Sequence, residues 1–251
     1  MDISVVLNMH REGLIAKPSF DSLMLAKAAA ERAGIAVEVV VILDRPDETT
    51  AELAAQWMPS DWKKILVDFG DLGHARNEGA SIATGKYVAF LDADDLFGSN
   101  WLQAAYTAAK QEKRRVVWHP EISIYFGVIR KVFVHADMDQ AEADPVGLMC
   151  SNYWTALCFA PRDLLKELPY PQTQLGNQIG FEDWAWNQSV MAHGAIHKIV
   201  PGTGHLIRVK QNGSLMRQTS SIGCIPQPTD YYQDLLQNRK LKSNEIYPPA
   251  L

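Results

Sequence analysis

The sequence predicts an α/β fold: a mostly parallel central sheet with helices on both faces and a smaller subregion in the second half. Three observations carry that reading. Short apolar runs alternate with segments of helical period through the first hundred residues. The runs are apolar throughout rather than alternating, as strands covered on both faces must be. Each run also ends in a cluster of polar residues, at the edge where open parallel sheets bind their ligands.

Ile3–Leu7 (ISVVL) is the first strand, and it leads into Asn8, His10, Arg11 and Glu12. Ser19–Ala33 places Leu23, Leu25, Ala26, Ala29, Ala30 and Ala33 at helical spacing, with Gly34 as a stop. Val37–Leu43 is the second strand and ends at Asp44-Arg45-Pro46-Asp47. Thr49–Trp57 reads as a helix, Lys64–Asp68 as the third strand and Gly73–Ala83 as an alanine-rich helix. Lys86–Leu91 is the fourth strand and runs directly into Asp92-Ala93-Asp94-Asp95. The second half is less regular. It reads as a helix at Trp101–Lys110, strands at Val116–His119 and Val128–His135, and an acidic connection at Asp137–Val146. A short helix follows at Ala160–Leu168, then a helix at Asp183–His193, a strand at Ile196–Val200 and a polar stretch from Pro226 through Pro248-Pro249.

A chain of 251 residues with 47% hydrophobic and 21% charged residues buries roughly three quarters of its unfolded surface without a disulfide or metal staple. The balance of 24 Lys+Arg against 29 Asp+Glu argues against a general nucleic-acid binder, which needs a basic face. The longest apolar stretch, Ile35–Leu43, is broken by Glu38 and falls short of the roughly 20 residues of a membrane span. No basic start precedes an apolar core, so no secretory leader is expected. Cys150, Cys158 and Cys224 are few and widely spaced; they read as buried thiols in a reducing compartment.

Some apparent motifs fail on their chemistry. Gly79, Gly85 and Lys86 resemble a phosphate loop, but five residues separate the glycines, Tyr87 follows the lysine, and the order is helix then strand. His193 and His197 are four apart, yet Gly194 stands where a zinc-protease helix needs Glu. The sequons Asn187-Gln188-Ser189 and Asn212-Gly213-Ser214 mean little without a secretory signal.

Two acidic clusters carry more. In Asp92-Ala93-Asp94-Asp95, carboxylates at this density repel unless a cation compensates them, and hard oxygen ligands suit Mg2+ or Mn2+. Leu96 excludes both a calcium loop and a phosphatase-type D-x-D-x-[T/V] motif. The alternative is a turn with an Asp cap on the following helix. In Gly180–Asn187 (GFEDWAWN), Glu182 and Asp183 open a helix, where the dipole favours negative charge. Trp184 and Trp186 are read as an apolar wall that raises a carboxylate's pKa and suits it to base chemistry near neutral pH.

Taken in order, these segments resemble a family 2 glycosyltransferase of the GT-A fold. The matching pieces are Ser4–Asn8 (SVVLN), Glu38–Asp44 (EVVVILD), the ARN-x-G helix at Gly73–Gly79 and the DXD strand at Lys86–Asp95. They continue with the ED pair Glu182-Asp183 and the segment Arg208–Ser214. The resemblance spans residues 1 to about 217. It implies a Rossmann-like sheet in which residues 1–100 bind the nucleotide-sugar and 101–217 bind the acceptor and hold the base, with 218–251 as an extension. The implied activity is inverting transfer of a sugar from a nucleoside diphosphate donor, a UDP-sugar first, to a glycan or lipid-linked acceptor.

Residue by residue, the resemblance implies Asp44 on the nucleobase, with Asn8, His10, Glu12, Asp71, Arg76, Asp92 and Lys210 around the nucleotide. Asp92 and Asp94 would hold Mn2+ or Mg2+, Asp183 would be the base, and Glu182 would orient the acceptor. The implied setting is polysaccharide assembly at the cytoplasmic face, peripheral to the inner membrane or within a larger assembly protein. Two departures stand out. Lys210 lies near the place of a further His metal ligand, so Lys210 and Arg208 would partly replace the cation. His10-Arg11-Glu12 replaces a Pro-x-Tyr-Asn loop and leaves base specificity open. A sugar nucleotidyltransferase needs a Gly- and Arg-rich loop that Asn8–Gly13 does not supply. A non-catalytic nucleotide-sugar scaffold is the other alternative. Tyr231, Tyr232, Leu235 and Leu236 are expected to pack on the core, with a partner or a membrane as alternatives.

Overall fold

Every residue of the first strand, β1 (Ile3–Met9), is buried, because alternate side chains enter two different cores. Ile3, Val5, Leu7 and Met9 face one, and Val6 faces the other. The second strand, β2 (Val37–Asp44), divides the same way, with Val39, Val41 and Leu43 on the first side and Val40 and Ile42 on the second. The apolar runs are continuous because both faces are covered.

The computed structural model describes residues 1–140, 144–211, 213 and 215–238. After β1 comes α1 (Lys17–Arg32); after β2 come α2 (Glu48–Trp57), β3 (Lys63–Val67), α3 (Leu72–Ile82), β4 (Tyr87–Asp92), β5 (Leu96–Phe97) and α4 (Trp101–Gln111). The second half contains β6 (Val116–Gly127), β7 (Lys131–Val134), β8 (Phe159–Pro161), α5 (Arg162–Glu167), β9 (Ile179–Gly180) and α6 (Glu182–Ala192). It closes with β10 (Ile196–Val209), α7 (Leu215–Ser221), β11 (Ile225–Pro226) and α8 (Asp230–Asn238). Among these residues nine strands form one sheet in the order β3-β2-β1-β4-β8-β6-β10-β5, with β7 beside β6. The first four are parallel, and β6 and β10 are parallel to each other. β8 joins the two groups with antiparallel pairings. α1 and α4 supply Phe20, Leu23, Trp101 and Leu102 to one core. α3, α5 and α6 supply Ala75, Leu164, Trp186 and Val190 to the other.

Glu38, which breaks the apolar run, is a structural hub. It accepts from Ser4 Oγ at 2.5 Å, Thr84 N at 2.6 Å and Lys63 Nζ at 2.8 Å. Partial burial opposes its charge, but Lys63, Ser4 and Thr84 bring its pKa down to about 2. Asp47 caps α2 by accepting from Thr50 N at 2.8 Å.

The second half corrects several expectations. The strand read at Val116–His119 continues to Gly127, and that at Ile196–Val200 continues to Val209 through a register shift between Val200 and Gly204. The strand expected from Val128 starts at Lys131, because 128–130 form the turn. The helix expected from Ala160 starts at Arg162, because Phe159–Pro161 is a strand against β4. Cys150 is exposed rather than buried, in the turn after a short 3-10 helix at Gly147–Met149. Tyr231 is buried beside Leu148 and Trp154, with Leu235 against the same cluster, while Leu236 is exposed. Residues 239–251 with Pro248-Pro249, the centre of the acidic connection (141–143), and Asn212 and Ser214 of the second sequon lie outside the described residues. No described helix is long and apolar enough to cross a membrane.

α3 crosses β1 at Gly79, where an added Cβ would meet Val6 Cγ1 at 2.3 Å. Alanine there gains about 1 kcal/mol of helix propensity but must displace a buried strand residue. Gly79→Ala is therefore expected to lower the unfolding free energy by about 1–3 kcal/mol, measured by urea denaturation with an unchanged m-value.

Candidate functional site

The site forms where β1, β2 and β4 end side by side. Strand register sets Asn8 beside Asp92, and Asn8 Nδ2 donates to Asp92 Oδ1 at 3.3 Å. Asp92 Oδ2 accepts from Arg76 Nη2 at 2.9 Å, and Arg76 Nη1 donates to Glu182 Oε1 at 2.8 Å. Arg76 thus joins β4 to the first turn of α6 from a position on α3 that is only 1% exposed. Burial opposes its charge, but Asp92 and Glu182 outweigh that and raise its pKa. The guanidinium lies over the Tyr170 ring at 5.5 Å.

Asp183 follows Glu182 directly. Its Oδ1 accepts from Trp184 N at 2.8 Å and its Oδ2 from Asn152 Nδ2 at 3.2 Å. Burial, then the charge of Glu182, pushes its carboxyl up to about 7, with Arg76 pulling the other way. The two tryptophans do not form one wall. Residues two apart on a helix point about 200° apart, so Trp186 stacks on Tyr170 at 4.6 Å while Trp184 Nε1 donates to Leu148 O at 2.7 Å on the opposite side.

Asp94 and Lys210 form an ion pair at 2.7 Å, and Glu12 lies 4.0 Å from the same ammonium. Burial, reinforced by Asp94, raises the Glu12 carboxyl. The end of β10 is fastened here: Arg208 N donates to Asp95 Oδ1 at 2.6 Å and Arg208 Nε to Asp94 O at 3.2 Å. Burial pushes the Asp95 carboxyl well above the usual range, with Asp94 and Asp92 adding to it.

Asp44 and Asp71 are engaged by backbone. Asp44 accepts from Phe69 N, Gly70 N and Asp71 N at 2.8, 2.9 and 3.1 Å. Asp71 Oδ1 caps α3 at His74 N (2.8 Å), and its Oδ2 accepts from Thr173 N at 2.9 Å. The imidazole of His10 bonds the Asp44 carbonyl, which ties the loops after β1 and β2 together. The structure thus brings Asn8, Arg76, Asp92 and Glu182 into one network, with Asp183 next to Glu182 in the chain, and Glu12, Asp94 and Lys210 into a second beside it. Asn152 and Tyr125 have no sequence signal. The first bonds Asp183; the second is a buried phenol pushed up to about 12 by burial, then by the charges of Asp183 and Asp95.

The donor set does not fit a resident divalent ion. Asp92 is engaged by Asn8 and Arg76, and Asp94 by a lysine. Among the described residues no three His, Cys, Asp or Glu side chains converge as a metal site. His197 is buried and His193 is exposed, with its Nδ1 bonded to Ser189 O at 2.8 Å.

The family model described as glycosyl transferase family 2 matches residues 4–135. An uncharacterized glycosyltransferase, YibD of Escherichia coli, is 30% identical over 95 residues, covering 37% of this chain and 26% of its own length. A poly(ribitol-phosphate) beta-glucosyltransferase of Bacillus spizizenii is 24% identical over 117 residues, covering 45% of this chain and 18% of its own. The chain therefore spans about a quarter or less of these curated relatives. Among solved structures, residues 1–349 of Staphylococcus aureus TarS superpose with a TM-score of 0.62 at 16% identity, over 94% of this chain and 69% of that one. A mannosyltransferase from Pyrobaculum calidifontis, described in complex with GDP-Man and Mn2+, gives 0.59 at 15% identity, over 94% and 68%. The fold is that of these transferases, as the GT-A resemblance implied.

Removing one partner of a buried ion network strands the others at a cost of about 3–5 kcal/mol. Arg76→Ala leaves Asp92 and Glu182 uncompensated and is expected to lose that amount in urea unfolding.

Proposed function

The chain belongs to glycosyl transferase family 2, and we propose that it moves a sugar from a nucleoside diphosphate donor to an acceptor hydroxyl by a single inverting displacement. One observation carries the proposal: a single guanidinium, Arg76, grips Asp92 at the strand ends and Glu182 at the start of α6. That ion pair ties the first turn of α6, which carries Asp183, to the strand-end acids. TarS has been described with UDP and with UDP-GlcNAc, and the archaeal neighbour with GDP-Man. Those partners support a nucleotide-sugar donor, with a UDP-sugar first.

In this reading Asp183 takes the proton of the acceptor hydroxyl. A hydroxyl is a poor nucleophile until that proton is withdrawn, and a base with a pKa near the working pH serves best. Asn152 and the Trp184 N–H fix its two oxygens. Glu182 orients the acceptor, and its pairing with Arg76 fixes the first turn of α6 that carries Asp183. Asp44 and Asp71 shape the nucleobase side by holding the 69–71 backbone and the α3 start. The Mn2+ or Mg2+ that the resemblance implies would have to displace the partners that Asp92 and Asp94 already carry. The acceptor is a glycan or lipid-linked hydroxyl, and the setting polysaccharide assembly at a cytoplasmic membrane face.

Asp183→Asn keeps the shape and removes the base. UDP release from UDP-GlcNAc, with water standing in for the acceptor, is expected to fall about 10²–10⁴-fold while the Kd for UDP stays within about twofold of wild type; equal loss of both would sink the role. The wild-type pH profile gives a second check. Asp183 acts deprotonated and its pKa is about 7, so kcat/KM should rise with pH through neutrality and level off above it. A rate that is flat down to pH 5 would assign the proton transfer elsewhere.

A further inference from the structure

Lys210 is placed by more than its own stem. β10 runs parallel to β6 with Val209 beside Gly127, and Val128 N donates to Val209 O at 3.1 Å. Arg208 is clamped to Asp95 and to the Asp94 carbonyl, and its guanidinium lies 4.5 Å from the Phe126 ring centroid. The ammonium that follows is therefore delivered to Asp94 by fixed backbone. It contacts Asp94 Oδ2 at 2.7 Å and lies 4.0 Å from Glu12 Oε1, with the lysine side chain 26% exposed.

A divalent ion at this place would compete with two built-in cations for the carboxylates they already engage, Arg76 on Asp92 and Lys210 on Asp94. It would also sit beside an ammonium of like sign. A lysine carries three N–H donors, so Lys210 can keep one on Asp94 and turn the others to phosphate oxygens, as a point charge does.

We propose that Lys210 is the resident cation of this site: it binds the donor's diphosphate directly, and donor binding requires no divalent metal. The inference rests on the nucleotide-sugar reading above and names how the diphosphate is held. In the displacement, the bond between the anomeric carbon and the diphosphate oxygen breaks, and its electron pair stays on that oxygen beside the Lys210 ammonium. The acceptor oxygen forms the new bond to the anomeric carbon, and its proton goes to Asp183. Lys210 stays protonated throughout, so atoms and charge balance without a further reactant.

The test is calorimetric titration of the whole chain with UDP and with GDP, each in EDTA and in Mn2+. The expected result is one nucleotide binding with a Kd that differs by less than threefold between the two conditions. Lys210→Ala is expected to weaken that binding at least tenfold in both, and Lys210→Arg, which keeps the charge, to stay within about threefold of wild type. Wild-type binding that weakens tenfold or more in EDTA overturns the inference and leaves the transferase reading standing. An unchanged Kd in Lys210→Ala also overturns it. Absence of binding of either nucleotide under both conditions overturns the transferase reading and this inference with it.

Discussion

A guanidinium that is 1% exposed between two carboxylates tolerates no half-made arrangement. An ion taken out of water costs several kcal/mol unless its partners are all in place. The partners of Arg76 come from β4 and α6, 16 and 106 residues away along the chain. Closing this network therefore requires that the parallel first half and the mixed second half already be docked. Aromatic packing completes it: Tyr170 lies beneath the guanidinium, Trp186 stacks on Tyr170, and Phe90 of β4 meets Tyr170 edge-on at 5.7 Å. The geometry between the strand ends and Asp183 is set by the protein itself, before any ligand arrives.

The chain turns sharply at two points beside acids of the site. Arg45 and Phe181 adopt left-handed backbone, with φ of 49° and 54°, a conformation that costs a non-glycine residue about 1–2 kcal/mol. Each adjoins a carboxylate, Asp44 in one case and Glu182 in the other. Arg45 is held by its N–H on Val67 O and by the ion pair with Asp68. Phe181 is held by the pairing of β9 with β11 just before it and by its carbonyl, which accepts from Ala185 N at 3.1 Å. Strain at these places lets a strand stop within one residue and turn an acid inward, where a relaxed turn would carry it toward solvent.

Much of this was legible in the chain, for definite reasons. β1, β2 and β4 are buried on both faces, so their residues read as unbroken apolar runs, and the acids that end them read as a functional rim. β6 and β10 were read short because their burial is polar: His119, Ser123, His197 and His205 are inside the protein. Pro201, Gly202 and Gly204 also interrupt β10 where its register shifts. The motif residues Arg76, Asp92, Glu182 and Asp183 lie on regular elements at readable spacing. Asn152 lies in a loop and meets Asp183 only through tertiary folding, so no spacing announces it. Lys210 departs from the family pattern, but its grip on Asp94 depends on strand register that the sequence does not display.

The support beneath Asp183 explains why so many histidines are buried in the second half of the chain. His119 Nε2 and His197 Nδ1 are 2.9 Å apart, and His197 Nε2 is 3.3 Å from the Asn187 carbonyl. That carbonyl can only accept, so His197 carries its proton on Nε2, and His119 must donate to Nδ1 from its own Nε2. Burial disfavours charge on either ring, so each holds one proton. The Trp154 ring stacks on His197 at 3.9 Å. Burial pushes His197 down to about 3 and His135 to about 4, and holds His119 and His205 well below their ordinary value. From this layer the contacts continue through Asn187 Nδ2 to Asn152 Oδ1 at 3.0 Å and from Asn152 Nδ2 to Asp183. The imidazoles that would ordinarily charge just below neutrality are thus kept neutral by the same burial that raises the Asp183 carboxyl. Opposite shifts from one cause leave a scaffold that does not change charge while the carboxyl it supports does.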